Sequence, residues 1–274
     1  MKVSIIIPTF NEEKTIADCL LSLAKQTYKD FEIIVVDDGS TDQTLQNLKD
    51  FKIKTFSQNH KGPAVARNLG AEHSKGKILV FVDADMTFDF NFIKNLINPI
   101  LEKKSKGTFS RDEFVANWDN IWARCWNINS NLPPKRRLSK NYPEHQKVFR
   151  SILKKEFDKV NGFSKGGYTD DWTLSEKLGY EATVSENAIY YHKNPDTLTE
   201  IFKQAKWIGK RDYKFGLIGE IYTVLKSLLP ISLLIGLVKS TINLNFYFLI
   251  FKVVYDFGIF VGILEMIIVG KYSK

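Results

Sequence analysis

Cysteine is scarce in this chain of 274 residues: Cys19 and Cys125 are the only two, far apart and in no metal or redox spacing. A disulfide framework, a zinc ribbon and a CxxC redox site are thereby excluded, and both thiols read as reduced packing residues. No secretory leader is expected, because the one early apolar run, Val3 to Ile7, is short and stops at Pro8. The N-terminal part is therefore expected in the cytosol. No Gly-rich or RNP-like stretch is present, so no nucleic-acid partner is expected, even though Lys and Arg exceed Asp and Glu by enough to give a net charge of +8. Such an excess favours anionic partners of another kind: nucleotide phosphates or an anionic membrane surface. With 44% apolar residues there is material for a sizeable core, and the length fits one large domain or a domain with an appendage.

The stretch around which the chain is organised is Phe81-Val82-Asp83-Ala84-Asp85-Met86. Ile78 to Val82 reads as a buried strand that ends at two carboxylates one residue apart. Carboxyl ends of interior strands form the ligand-binding rim of open α/β sheets. Two hard oxygen donors so placed suit Mg²⁺ or Mn²⁺ held jointly with phosphates; alternatively the motif is a solvated Asp-x-Asp turn. Upstream, Val3 to Ile7 is a β-branched strand, Asn11 is a candidate helix cap, and Ile16, Cys19, Leu20 and Leu23 make an apolar helix face. Phe31 to Val36 is a second strand ending in Asp37-Asp38-Gly39-Ser40. Ser40 or Thr41 is expected to cap a helix from Asp42 to Phe51, and Ile53 to Phe56 is a third strand. Gly62-Pro63 then opens a helix carrying Arg67, Asn68 and Gly70. Strands alternating with helices of this length predict a doubly wound, mostly parallel α/β sheet, with polar strand ends gathered on one edge.

Four fragments in order, Val3-Ser-Ile-Ile-Ile-Pro-Thr-Phe-Asn-Glu-Glu13, Ile34-Val-Val-Asp-Asp-Gly-Ser-Thr-Asp42, Ala66-Arg-Asn-Leu-Gly70 and Phe81-Val-Asp-Ala-Asp85, resemble the inverting family-2 glycosyltransferases with a GT-A fold. The similarity covers about the first 100 residues and resumes near Val148. It implies a nucleotide-diphosphate sugar as donor and a divalent cation, Mn²⁺ or Mg²⁺, as cofactor. By position, it implies that Pro8, Phe10 and Glu12 lie in the loop after the first strand and line the nucleoside pocket. Asp38 would accept a hydrogen bond from the base, and Arg67 would contact phosphate or base. Asp83 would face the ribose or metal-bound water, and Asp85 would ligate the metal. Asp37 is read as a structural cap of its turn.

Downstream, Val148 to Phe163 again resembles the family, where it precedes the acceptor site. Asp170-Asp171 stands where the family has Glu-Asp, so the first carboxylate is shortened here, and Asp171 aligns with the catalytic base. An inverting transfer needs such a base to take the proton of the acceptor hydroxyl; adjacent acids at a helix start are otherwise capping groups. Thr183 to Tyr191 is expected to be one strand leading to His192, which resembles the family's late histidine that reaches metal or diphosphate. Lys203-Gln204-Ala205-Lys206-Trp207 departs from the Gln-x-x-Arg-Trp of processive members, which argues against a polymerising synthase. Trp118, Trp122 and Trp126 recur every four residues and read as a core stripe. Lys135 to Lys165 carries ten basic residues against three acids: a solvated loop, a lid over the diphosphate, or a patch for anionic lipid.

After Phe215 the composition changes. A GT-A catalytic domain is expected over 1–197, divided into a donor half (1–100) and an acceptor half (101–197). A basic amphipathic interface helix would follow over 198–216. Residues 217–274 are expected to form a two-helix membrane hairpin, with spans at Leu217–Val238 and Leu244–Val269 and Lys252 paired with Asp256. Basic residues before the first span, with Lys271 and Lys274 after the second, put both ends on the cytoplasmic face of the cell membrane. The alternative uses of these helices are lying in the interface or making an oligomer contact. The expected acceptor is a lipid-linked or glycan hydroxyl. The rival readings are a polyprenyl-phosphate acceptor, which needs no base, and a catalytically inactive nucleotide-sugar-binding relative.

Overall fold

The computed structural model describes the chain except for residues 1, 140, 165–166, 212, 214 and 270–274, and except for the side chains of 167–169 and 269. The flanking charges Lys214, Lys271 and Lys274 lie outside the described residues. Along the chain run β1 (Val3–Thr9), α1 (Ile16–Ala24), β2 (Phe31–Asp37), α2 (Thr44–Leu48), β3 (Lys54–Ser57), α3 (Pro63–Glu72), β4 (Ile78–Phe81), β5 (Met86–Phe88) and α4 (Phe92–Leu101). Next come β6 (Gly107–Phe109), β7 (Glu113–Val115), α5 (Ile121–Asn129), β8 (His145–Gln146), β9 (Ser151–Leu153) and α6 (Lys154–Lys159). A 3-10 turn over Gly167–Trp172 leads into α7 (Thr173–Leu178), β10 (Ala182–Val184) and β11 (Tyr190–His192). The helices α8 (Leu198–Gly209), α9 (Gly216–Lys226), α10 (Leu229–Ile242) and α11 (Tyr247–Val269) complete it. The chain divides into two compact units, Met1–Phe114 with Lys140–His192, and Val115–Ser139 with Lys193–Lys274.

In the first unit, eight strands form one sheet in the order β3-β2-β1-β4-β9-β6-β10-β8, and β5-β11-β7 form a smaller second sheet. The first four strands run parallel, with Ile6 opposite both Ile34 and Phe81. β9 enters antiparallel between β4 and β6. The β-branched runs are continuous because both faces are buried. Val3, Ile5 and Ile7 join Ile78 and Val80 in a core under α1 and α4, whereas Ile6, Leu79 and Phe81 face a second core with Phe157 and Phe163. Thr9, Asp37 and the chain beyond Phe81 therefore emerge on one edge, as the alternation of elements predicts.

Three local expectations are corrected. Asn11 does not cap α1, which starts at Ile16; it sits at φ 56° and its side chain accepts from the Thr41 backbone N–H (2.8 Å), tying two loops together. The second helix is short and begins after Gln43, with Asp42 rather than Ser40 or Thr41 accepting from the Thr44 N–H (2.9 Å). Thr183 to Tyr191 is not one strand: β10 and β11 belong to different sheets, separated by a turn with Asn187 at φ 59°.

The second unit is helical. Trp122 and Trp126 pack edge-on against Tyr247, Phe251 and Tyr255, which makes them core as read from their spacing. The helix expected to lie free at an interface, α8, instead covers α11: Ile201 and Ala205 are fully buried, and Lys206 and Lys210 both pair with Glu265 (2.9 and 2.8 Å). Its apolar face is used up by a neighbour rather than left for lipid. Close approach is allowed by Gly258 and Gly262, one turn apart on α11. A Cβ at Gly262 would collide with the Lys206 carbonyl oxygen and one at Gly258 would meet Ala205 Cβ at 2.8 Å. The first expected span is broken: α9 and α10 meet at 69°, where Pro230 begins a new helix and cannot continue the old one. Among the described residues, α11 is the single unbroken helix long and apolar enough to cross a membrane, over Tyr247–Ile268, and α9 with α10 reach that length only if the bent pair is counted as one span. The expected Lys252–Asp256 pair forms, at 2.6 Å and buried.

α10 is inside out. Its buried residues are Ser232, Gly236 and Ser240, at a spacing of four, while Leu229, Leu233, Leu234 and Leu237 are exposed. α9 buries none of its residues and exposes Leu217, Ile218, Ile221 and Leu225. Water selects the opposite arrangement. In α10 small residues face inward and leucines outward.

Candidate active site

The site is built at the carboxyl edge of the parallel strands in the first unit. Beyond β4 the chain turns through Asp83 and Asp85 before β5. Both oxygens of Asp83 are engaged: Arg67 Nη2 donates to one and Arg150 Nη1 to the other, each at 3.0 Å. Arg67, from the middle of α3, is 5% exposed and also donates from Nη1 to Asp171 in the 3-10 turn, with Asp170 at 3.9 Å. One buried guanidinium thus joins the strand-end aspartate to the aspartate read as the base. Asn68, next on α3, holds the turn leading to that segment through paired bonds with Phe163, its Nδ2 donating to the carbonyl (2.8 Å) and its Oδ1 accepting from the N–H (2.9 Å).

Asp85 faces a different partner. Its Oδ2 lies 2.7 Å from His192 Nε2, and the other ring nitrogen of His192 lies 3.1 Å from Glu113 Oε1. Tyr190 Oη donates to the second Glu113 oxygen at 3.1 Å. This chain is set by the small sheet, where His192 pairs with Met86 in register. Among the described residues, no three His, Cys, Asp or Glu side chains are grouped to hold a metal. A carboxylate and an imidazole at one point nevertheless suit Mn²⁺ or Mg²⁺ when a diphosphate and water supply the remaining donors. Glu113 behind the imidazole is the outer-shell carboxylate such ligands commonly have.

Burial and charge set the protonation states. Burial opposes ionisation of Asp83, but Arg150 and Arg67 outweigh it and hold the carboxyl well below its usual range. Burial likewise opposes the charge on Arg67, and Asp171, Asp83 and Asp170 overcome it. Asp170 is pushed up to about 6, by burial first and by the neighbouring Asp171 second. Glu12 is pushed up to about 7, by burial, then by the negative charges of Asp85 and Asp83 against the lowering bond from Thr15. Because its folded value lies above its ordinary 4.5, Glu12 contributes full stability below pH 4.5 and loses it as pH rises through about 7. In metal-free buffer this costs about 3 kcal/mol, at 1.36 kcal/mol per pH unit. Glu12→Gln is expected to flatten the pH dependence of the unfolding free energy between pH 4.5 and 8, read by urea titration at each pH. An unchanged slope contradicts the assignment.

The remaining sequence-predicted residues are placed as follows. Pro8 is not in the loop but within β1, opposite Val36. Phe10 follows the strand, 40% exposed, with its ring 4.2 Å from that of His60. Asp38 is buried and accepts from the backbone N–H groups of Lys61 (2.7 Å) and Gly62 (2.9 Å) and from Gln58 Nε2 (2.6 Å), so it shapes the loop that opens α3. Asp37 caps its turn as read, accepting from Gly39 and Ser40 N–H at 3.2 Å each. The Lys135–Lys165 stretch is not one lid, since it divides between the two units. Arg150 from it enters the site, and Lys147 Nζ lies 5.3 Å from the ring of Trp172. Arg150, Glu113 and Asn68 are the residues that sequence reading missed. The available signal was a charge set inside an apolar run, Val148-Phe149-Arg150-Ser151-Ile152 and Glu113-Phe114-Val115.

The family model for glycosyl transferase family 2 matches residues 4–161. The glycosyltransferase GlyG of Streptococcus pneumoniae serotype 4 is 35% identical over 244 residues, which cover 75% of each chain. The poly(ribitol-phosphate) beta-N-acetylglucosaminyltransferase TarS of Staphylococcus aureus is 44% identical over 93 residues, 31% of this chain and only 16% of that much longer protein. The crystal structure of TarS 1-349 in complex with UDP-GlcNAc superposes with a TM-score of 0.57 at 20% identity, covering 100% of this chain and 93% of that one. The mannosyltransferase PcManGT from Pyrobaculum calidifontis, in complex with GDP-Man and Mn²⁺, gives 0.62 at 15% identity, covering 98% and 88%. The family match over more than half of the chain, on a mostly parallel sheet with its carboxylates at the strand ends, gives the conclusion: the chain belongs to glycosyl transferase family 2 and carries a glycosyltransferase domain of GT-A fold.

Proposed function

We propose that the protein is a membrane-attached, metal-dependent inverting glycosyltransferase. It moves a sugar from a nucleotide-diphosphate sugar, a UDP-sugar by preference, to a hydroxyl of a lipid-linked or glycan acceptor. The observation that carries this reading is the buried guanidinium of Arg67 between Asp83 and Asp171. It keeps the base within one network with the donor-side carboxylates, beside a fixed positive charge. Asp171 takes the proton of the attacking hydroxyl, Asp170, pushed up to about 6, sits beside it, and Arg67 and Arg150 face the diphosphate with positive charge. Asp85 and His192 would hold the cation, with Asp83 beside them toward the ribose. When bound, Mn²⁺ or Mg²⁺ supplies positive charge to the departing diphosphate. Pro8, Phe10, Glu12 and Asp38 bound the nucleoside side. The preference for uracil draws on the staphylococcal relative, whose structure holds UDP-GlcNAc.

Membrane attachment draws on the second unit. The outward leucines of α10 and the wholly unburied α9 offer apolar faces suited to lying in one leaflet, and the 69° break suits two helices in the membrane plane better than one span. The catalytic unit then works at the cytoplasmic surface of the cell membrane. Asparagine at Asp171 tests the base: transfer to a hydroxyl is expected to collapse, and full activity would refute a hydroxyl acceptor.

A further inference from the structure

The second unit holds a cavity of about 810 Å³ that the reaction does not use. It is lined by Trp118 and Arg124 from the α5 region and by Lys239, Leu244, Phe246 and Tyr247 from α10, its following turn and the start of α11. Two basic side chains line it and no acidic one does. The Arg124 side chain makes no hydrogen bond or ion pair with any described residue, and its Nε is buried without a partner. Lys239 donates to the carbonyl oxygens of Ile128 (3.0 Å) and Asn129 (3.4 Å) and to Asn131 Oδ1 (2.7 Å). All three acceptors are neutral, so no carboxylate balances that ammonium. A second buried polar atom, Asn245 Oδ1, is also unpartnered. The rim is the opposite in character: Ile242, Leu244 and Phe246 are exposed, Leu244 at 84%.

We propose that this cavity is a headgroup site for an anionic phospholipid, with the phosphate against Arg124 and Lys239 and the acyl chains leaving over Ile242, Leu244 and Phe246. An unpaired guanidinium in a partly dry pocket lacks an oxyanion, and a planar fork of N–H donors matches a phosphate. A free phosphate would satisfy the guanidinium but leave the apolar rim in water, whereas a lipid satisfies both. The site lies on the unit whose outer helices carry the leucine faces, so the proposal rests on the membrane-attached reading and deepens it from attachment to lipid selectivity.

The test is flotation of the full chain, diluted from detergent, with vesicles of phosphatidylcholine alone and of phosphatidylcholine and phosphatidylglycerol at three to one. The protein binds both, and binds the anionic vesicles more tightly. Arg124→Gln removes about 5-fold of that preference, the value of one basic residue at an anionic surface, and leaves binding to phosphatidylcholine unchanged. Lys103→Gln, an exposed lysine of the first unit, serves as the control for general attraction by the positive chain and keeps the preference. Equal loss in both variants, or none in Arg124→Gln, overturns the headgroup site while leaving membrane attachment standing. Binding to neither kind of vesicle overturns attachment and the site together.

Discussion

Asp171→Asn lowers kcat for transfer to a hydroxyl acceptor by about 100- to 10,000-fold, the range supplied by a positioned general base. The substitution is isosteric, and the amide oxygen can still accept from Arg67, so the network that positions the segment is kept and donor binding should hardly change. KM for the donor then stays near the wild-type value while kcat falls, the pattern of a group that acts only as the transition state forms. Steady-state kinetics with a saccharide acceptor read this directly. Activity within tenfold of wild type contradicts the base assignment and points to an acceptor that arrives already anionic, such as a lipid phosphate.

Arg67→Ala is expected to have the largest effect on stability. Arg67 is nearly inaccessible and neutralises Asp83, Asp171 and, at longer range, Asp170. Removing one partner of a buried ionic network leaves uncompensated charge and costs about 3–5 kcal/mol. Two responses follow: loss of unfolding free energy at neutral pH, and partial recovery as pH falls and the stranded carboxyls protonate. Urea titrations of wild type and variant at pH 7 and pH 5 measure both. A loss below about 1 kcal/mol at pH 7, the value of an exposed pair, would mean that solvent already screens the cluster. Arg67 would then be a surface contact and not the hub of the site.

The parts of the fold that sequence reading captures are those where one local rule acts without competition. Val3 to Ile7, apart from Ser4, and Ile78 to Val82 are apolar because both faces of their strands are buried, so pattern and environment agree. Asp83 and Asp85 are legible for the same reason, as an abrupt change from apolar run to acid at a strand end. Legibility fails where tertiary contacts decide. Nothing local in Thr183 to Tyr191 announces that its two ends join different sheets. α8 has the composition of a surface helix, yet Ala205 and Gly209 are small because α11 passes close by, and its lysines are spent on Glu265. Leu217 to Val238 passes as one span because hydropathy averages over Pro230. Asn68 and Arg150 lie inside stretches that resemble the family and Glu113 lies in none, but the roles of all three depend on partners between 67 and 95 residues away.

Calorimetric titration reads out the proposed metal-assisted nucleotide site at Asp85 and His192. Detergent-solubilised full chain is titrated with UDP and with GDP, each in the presence and absence of Mn²⁺, alongside Asp85→Asn. UDP is expected to bind, more tightly with Mn²⁺ than without, and the gain from Mn²⁺ is expected to vanish in Asp85→Asn. Binding of neither nucleotide, or UDP binding indifferent to Mn²⁺ in the wild type, would contradict a metal-assisted site at Asp85 and His192.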